Sequence, residues 1–214
     1  MATARRPQAR STYHHGDLRA ALVNAGLALA REGGPKAVVL REATRRAGVA
    51  PNAAYRHFSS HQALFEAVRA AALGKLAEVI ERELKRAEAE PDLAARSRAM
   101  LAAVGRGYLS FAQAETGWFL TAFASGAFDV QMPADPARTA EKGLNPFELL
   151  SYALDEMVKA GVLPPERRPG AEFLAWSTVH GMALLMIDGP LRHAPVAMRQ
   201  ALGARLLHMV ETGI

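Results

Sequence analysis

Three histidine arrangements could do chemistry. His14 and His15 are adjacent in "STYHHGDLRAAL", residues 11–22. His57 and His61 are spaced i, i+4, which on one helix can hold a metal ion. Trp176 and His180, the latter followed by Gly181, stand one helical turn apart and so share a face. Each arrangement also has a purely structural reading. The first pair precedes Gly16 and Asp17, where a carboxylate suits the free N–H groups and positive dipole end of a starting helix. The second spans "FSS", where one helix ends and the next begins, so no metal site is expected. His180 is equally a satisfied core histidine or part of a pocket wall.

Nothing else in the chain suggests catalysis. The 214 residues contain no cysteine, which removes disulfides, thiolate nucleophiles and thiolate metal sites and suits a reducing cytoplasm. There is no nucleotide-binding glycine loop, metal-ligand motif or nucleophile elbow. An enzyme is not expected, and no cofactor or metal is implied. The start, "MATARRPQAR", lacks the apolar region of a secretory signal, and no apolar run is long enough to cross a bilayer. A cytoplasmic location follows as the expectation.

Charge is informative through its placement. Residues 1–60 hold ten Lys and Arg against three Asp and Glu; the remainder holds sixteen against eighteen. A basic head on a slightly acidic body is the footprint of a phosphate-facing surface, or simply a solvated arm.

The elements that must position these residues are helices. Leu18, Leu22, Ala25 and Leu29 step by three and four, predicting a first helix over 17–32 that ends at Gly33, Gly34 and Pro35. Short helices are predicted over about 40–47 and through "NAAYRHF". A long one follows over about 60–89, with Ser59 and Gln62 at capping-box spacing. Further helices are expected over 92–112, 116–128, 145–161, 170–188 and 195–211. The proline-bearing stretch "DVQMPADPARTAEKGLNP" reads as a loop or a lid.

The segment "VLREATRRAGVAPNAAYRHFSSHQALF", residues 39–65, has the pattern of a helix-turn-helix unit. Gly48 can adopt the positive φ of a tight corner. Ala43, Ala47 and Val49 are small enough for close packing, and Pro51 suits a first helical turn. An ordinary helical hairpin with a glycine corner would share these features.

Together with the first helix, the "YRHF" motif and the "ALF" opening the long helix, this segment resembles the DNA-binding domain of TetR-family transcriptional regulators. Farther on, "AWSTVHGMALLMIDG", residues 175–189, resembles the family's C-terminal domain with a Trp/His-Gly signature. The resemblance implies an all-α protein: a basic arm at 1–16, a three-helix DNA-binding domain at 17–60, and a larger helical ligand-binding and dimerisation domain at 61–214. It implies that Arg41 reaches a base or phosphate and that Pro51, Asn52 and Ala53 face base edges. Tyr55 and His57 would contact the backbone, Arg56 either, and Phe58 would be core. The chain departs from the pattern in three places. Val39 and Ala50 replace the usual capping Ser or Thr. His61 replaces a lysine, lending only fractional charge at neutral pH. Arg5, Arg6 and Arg10 in the arm could compensate.

In the body, Trp118, Phe119, Phe123, Trp176 and His180 are the candidates to line a pocket for a small apolar effector; plain core is the alternative. Arg106 is either a polar group of that site or a surface arginine. Phe173, Val179, Leu184, Leu202, Leu206, Met209 and Val210 in the last two helices could pair with their twins in a homodimer, or cover the monomer core. The expected function is therefore sequence-specific binding of double-stranded DNA at a palindromic operator, as a ligand-released repressor. An activator of the same family, or a helical interaction module with a basic head, would fit the same residues.

Overall fold

The computed structural model describes residues 15–124 and 135–214. The expectations about His14 and about Arg5, Arg6 and Arg10 of the arm therefore fall outside the described residues, as does the 125–128 end of the helix expected over 116–128. Among the described residues there are nine α-helices and no strand. They are α1 (His15–Gly33), α2 (Leu40–Arg46), α3 (Pro51–Ala54), α4 (His61–Ala87), α5 (Leu93–Ala114), α6 (Thr116–Ala122), α7 (Pro146–Lys159), α8 (Ala171–Ile187) and α9 (Val196–Gly213).

Most boundaries lie within two or three residues of the sequence expectation; α6 departs further, ending at Ala122 short of the expected 128, and three other differences follow. Helix α1 begins at His15, ahead of Asp17. The cap of α4 is Ser60 rather than Ser59: its hydroxyl accepts the Ala63 N–H at 3.1 Å. The Gln62 amide donates forward to Glu66 and makes no capping box. Helix α3 is a single turn, and Tyr55–His57 continue as a turn in which the N–H groups of His57 and Phe58 both donate to the Ala54 carbonyl at 2.9 Å.

The described residues form two apolar cores, and α4 runs through both. The first gathers Leu22, Val38, Ala43, Ala54, Phe58 and Leu64 with the first half of α4 as far as Leu73. The second takes over at Leu76 and collects Ile80, Leu84, Tyr108, Phe111, Phe119 and Leu154. The N-terminal core thus extends past residue 60 into the long helix. Helices α1 and α4 cross closely: a Cβ on Gly26 would lie 2.3 Å from a methyl of Val68.

The segment before α7 is strapped onto α4. The Glu81 side chain is buried, and its carboxylate accepts the N–H groups of Glu141 at 3.0 Å and Lys142 at 2.6 Å. Two backbone donors satisfy a charge that would otherwise be costly to bury. Helix α7 then starts on a full capping box, Asn145 with Glu148.

Candidate nucleic-acid interface and internal cavity

The corner between α2 and α3 is built as the sequence requires. Gly48 has φ +68°, and no neighbouring atom lies within 4 Å of where its Cβ would be, so its backbone conformation is what calls for glycine. Neither Val39 nor Ala50 offers a side-chain cap. Short helices without caps depend on packing. Ala54 and Phe58 supply it, both buried against Leu22, Leu64 and Val68. With these two turned inward, Pro51, Asn52, Tyr55 and Arg56 are exposed, and Ala53 and His57 are half-buried.

The basic residues here divide into two groups. Arg45 is clamped to Glu42 by two hydrogen bonds of 2.8 and 2.6 Å, and Arg46 to Glu32 by two of 2.8 and 2.6 Å. The hydrogen bond from Arg45, with that from Arg46, holds the Glu42 carboxyl at about 2, well below its ordinary value. Arg41 and Arg56 are exposed and have no ion-pair partner among the described residues. The pairing of Arg46 with Glu32 depends on how α1 and α2 sit together and could not be read from the sequence, whereas the i, i+3 spacing of Glu42 and Arg45 lies within α2.

His61 is placed differently from a lysine at the same position. Its Nε2 lies 2.6 Å from the Val38 carbonyl, which can only accept, so this nitrogen carries a proton and ties the start of α4 to the approach of α2. Only Nδ1 remains for a phosphate. His57 lies in the turn after α3 and His61 opens α4, so the pair does not share one helix. Among the described residues no group of three potential metal ligands occurs.

The body holds a cavity of about 40 Å³ between α4, α5, α7, α8 and α9. Ile80, Tyr108, Phe123, Phe147, Trp176 and Val179 contribute to its wall. Of the five sequence candidates, Phe123 and Trp176 line it. Phe119 and His180 stand just behind: the His180 ring lies 5.0 Å from Phe123 and 6.0 Å from Trp176, and Phe119 lies 5.5 Å edge-on to Tyr108. Trp118 is not part of this group. Its indole N–H donates to the Leu27 carbonyl of α1 at 2.7 Å, and the Arg31 guanidinium covers its ring at 5.0 Å. Consecutive residues of a helix point in different directions, so Trp118 and Phe119 face different partners.

Tyr108, which the sequence reading did not select, is the polar centre of the cavity. Its hydroxyl lies 2.7 Å from His180 Nδ1 and 3.2 Å from Trp176 Nε1. An indole N–H only donates, so Tyr108 Oη accepts from Trp176. Among the described residues His180 Nδ1 is the one acceptor within reach of the buried phenol proton, so a satisfied O–H donates to it, which assigns His180 the neutral tautomer protonated at Nε2. Burial pushes the Tyr108 phenol up, beyond what the Trp176 bond offsets, and pushes His180 below its ordinary value. Tyrosine among apolar helical residues gave no periodic signal that would have singled it out.

The two terminal helices present a mixed picture. Phe173, Leu184 and Met209 are exposed, along with Leu174 and Leu185, whereas Val179 and Val210 are buried in the second core and belong to the cavity wall. Leu206 packs partly against that core. Arg106 is half-exposed on α5, 3.7 Å from Glu83, and is a surface arginine.

Residues 22–68 match the family described as bacterial regulatory proteins, tetR family, and residues 101–210 match the tetracyclin repressor-like C-terminal domain. The chain belongs to the TetR family of transcriptional regulators, and its N-terminal unit is that family's helix-turn-helix DNA-binding domain. The matched C-terminal family is a coarser assignment than the Trp/His-Gly type. Among solved structures, a protein of unknown function from Rhodococcus sp. RHA1 is 28% identical with a TM-score of 0.68, over 93% of this chain and 98% of that one. The regulator FadR from Bacillus subtilis, in complex with stearoyl-CoA, is 16% identical with a TM-score of 0.62, over 91% and 98%. RolR, in complex with resorcinol, is 15% identical with a TM-score of 0.56, over 91% and 88%. No curated protein matches. No described helix is long and apolar enough to cross a membrane.

Proposed function

We propose that this chain is a cytoplasmic, ligand-released repressor that binds a palindromic operator as a homodimer, reading DNA with α3 and the turn after it. The observation that carries the reading is the division of labour in residues 51–58. Ala54 and Phe58 anchor the segment in the first core, and Pro51, Asn52, Tyr55 and Arg56 are left outward. Asn52 is the candidate to bond adenine and the Ala53 methyl to touch thymine. Arg41, Arg56, Tyr55, His57 and the free nitrogen of His61 are the backbone and phosphate contacts. One such unit makes few contacts, so two-fold pairing is needed to read two half-sites. The exposed apolar residues of α8 and α9 suit that pairing.

The effector site is the cavity around Tyr108, with Phe123 and Trp176 in its wall and Phe119 and His180 behind. A ligand there acts by mass action, binding the DNA-incompetent state better by a few kcal/mol. Two elements lead from the cavity to the reader. Ile80 of α4 is in the wall, and α4 continues into the first core. Phe123 follows the end of α6; Trp118 of that helix and Glu115, the residue just before it, hold α1. The Trp/His-Gly type of C-terminal domain, carried by Trp176, His180 and Gly181, fits this arrangement.

Fluorescence anisotropy with duplex from the chain's own upstream region tests the reading. Affinity should fall steeply with salt and should exceed that for scrambled duplex by orders of magnitude. Arg41→Ala should weaken both duplexes and reduce the salt slope by about one. Equal affinity for the two duplexes would favour a helical interaction module with a basic head.

A further inference from the structure

We infer that the cavity takes a compact, uncharged and mainly apolar molecule carrying one hydroxyl or N–H donor, which bonds the free lone pair of Tyr108 Oη. The inference rests on the proposed role of the cavity as effector site and adds the chemical class of the effector.

Three observations lead to it. First, none of the described residues in the wall carries a charge. An ionised carboxylate or ammonium would have to leave water without a counter-charge there, which is far costlier than burying a neutral group. Second, the polar capacity of the wall is nearly used up in a fixed sequence. Trp176 Nε1–H donates to Tyr108 Oη, and Tyr108 donates its only proton to His180 Nδ1. The phenol oxygen has two lone pairs, and Trp176 occupies one. What remains at Tyr108 is an acceptor, so the complementary group on a ligand is a donor. Third, about 40 Å³ holds only a few waters, well below the room that drug-sized ligands occupy. A ligand has to displace Phe123, Phe147 or Trp176, and a single ring or short chain displaces least.

The test is isothermal calorimetry on the full chain with three probes of one shape. 4-Methylphenol is neutral and has a hydroxyl donor, 4-methylanisole has no donor, and 4-methylbenzoate is ionised at neutral pH. The phenol should bind up to about tenfold tighter than the anisole, one hydrogen bond's worth, and the benzoate should give no heat. In Tyr108→Phe, which keeps the ring, the preference should shrink to about twofold or less. A circular-dichroism melt of this variant establishes that it folds. If Tyr108→Phe does not fold, the ranking of the three probes on the unaltered chain decides alone. Benzoate binding as tightly as the phenol, phenol and anisole binding alike, or a preference that survives in folded Tyr108→Phe would overturn the assigned class. Each of these leaves the cavity standing as a ligand site. If no probe binds, the cavity reading falls together with the class.

Discussion

The indole N–H of Trp118 donates to the carbonyl of Leu27, 91 residues earlier, at 2.7 Å. This bond joins the body to the DNA-reading domain at a point where the chains almost touch. A Cβ on Gly117 would lie 2.2 Å from the Ala30 carbonyl oxygen, so only glycine lets α6 approach α1 this closely. Beside it, Arg31 and Glu115 form a two-pronged ion pair of 2.7 and 2.6 Å. These contacts make the Glu115–Trp118 stretch and α1 one packed unit.

Trp118→Phe keeps an aromatic ring but removes the donor. The expected loss is about 1 kcal/mol, one net hydrogen bond, in urea unfolding. Amide exchange in the C-terminal half of α1 should also accelerate. Unchanged stability together with unchanged exchange would mean that the helices dock without this bond.

His180 is held below its ordinary value by burial, so the folded chain keeps the ring neutral where the unfolded chain would protonate it. The stability this contributes is fully present above about pH 6.5, the ordinary histidine value, and is lost as pH falls from there toward the folded value. Tyr108 is the titratable group it bonds, and the rings of Phe119, Phe123 and Trp176 surround it. Thermal melts between about pH 7 and about pH 5.5 should drop more steeply for the unaltered chain than for His180→Gln. Parallel slopes would assign the acid sensitivity to other groups.

His61 stands where the family pattern has a lysine, and its Nε2 is committed to the Val38 carbonyl. His61→Lys gives up that bond and places an ammonium at the start of α4, so duplex affinity should rise several-fold and the salt slope should steepen by about one. Affinity and salt slope unchanged in the variant would remove position 61 from the phosphate contacts.

Leu184 and Leu185 remain 42% and 44% exposed on α8, and Phe173 and Leu174 51% and 58%, a concentration of large apolar side chains that a lone subunit would leave wet. Replacing Leu184 and Leu185 by Glu together should convert a dimer to a monomer in analytical ultracentrifugation and weaken operator binding with it. Sedimentation identical to the unaltered chain would place the dimer contact elsewhere or dispense with it.

The parts of this molecule legible in the sequence are those set by local chemistry. Gly48 and Pro51 mark the corner, and Ala54 and Phe58 repeat at the spacing that buries one face. The long stripe from Leu64 to Leu84 gives α4, although the two small hydroxyl residues at 59 and 60 left its cap ambiguous by one position. What could not be read depends on how distant segments meet. Glu81 looks like any surface glutamate of an amphipathic helix until the 141–142 backbone closes over it. Trp118 and Phe119 look alike in sequence, yet one faces α1 and the other packs against Tyr108 behind the cavity wall. Tyr108 becomes the polar centre only once α8 brings Trp176 and His180 against α5. Val179 and Val210 fit a dimer seam by pattern, but the fold spends them on its own core.

If residues 51–57 read DNA sequence, selection from a random duplex pool will reveal it. After several rounds with the full chain, sequencing should return a two-fold symmetric consensus with half-sites spaced by one helical turn or a multiple of it. Repeating the selection with Asn52→Ala should relax the consensus at one position in each half-site, by about 1–3 kcal/mol of lost discrimination. A pool that stays random, or a consensus unchanged by Asn52→Ala and by every other exposed substitution in 51–57, would contradict the account.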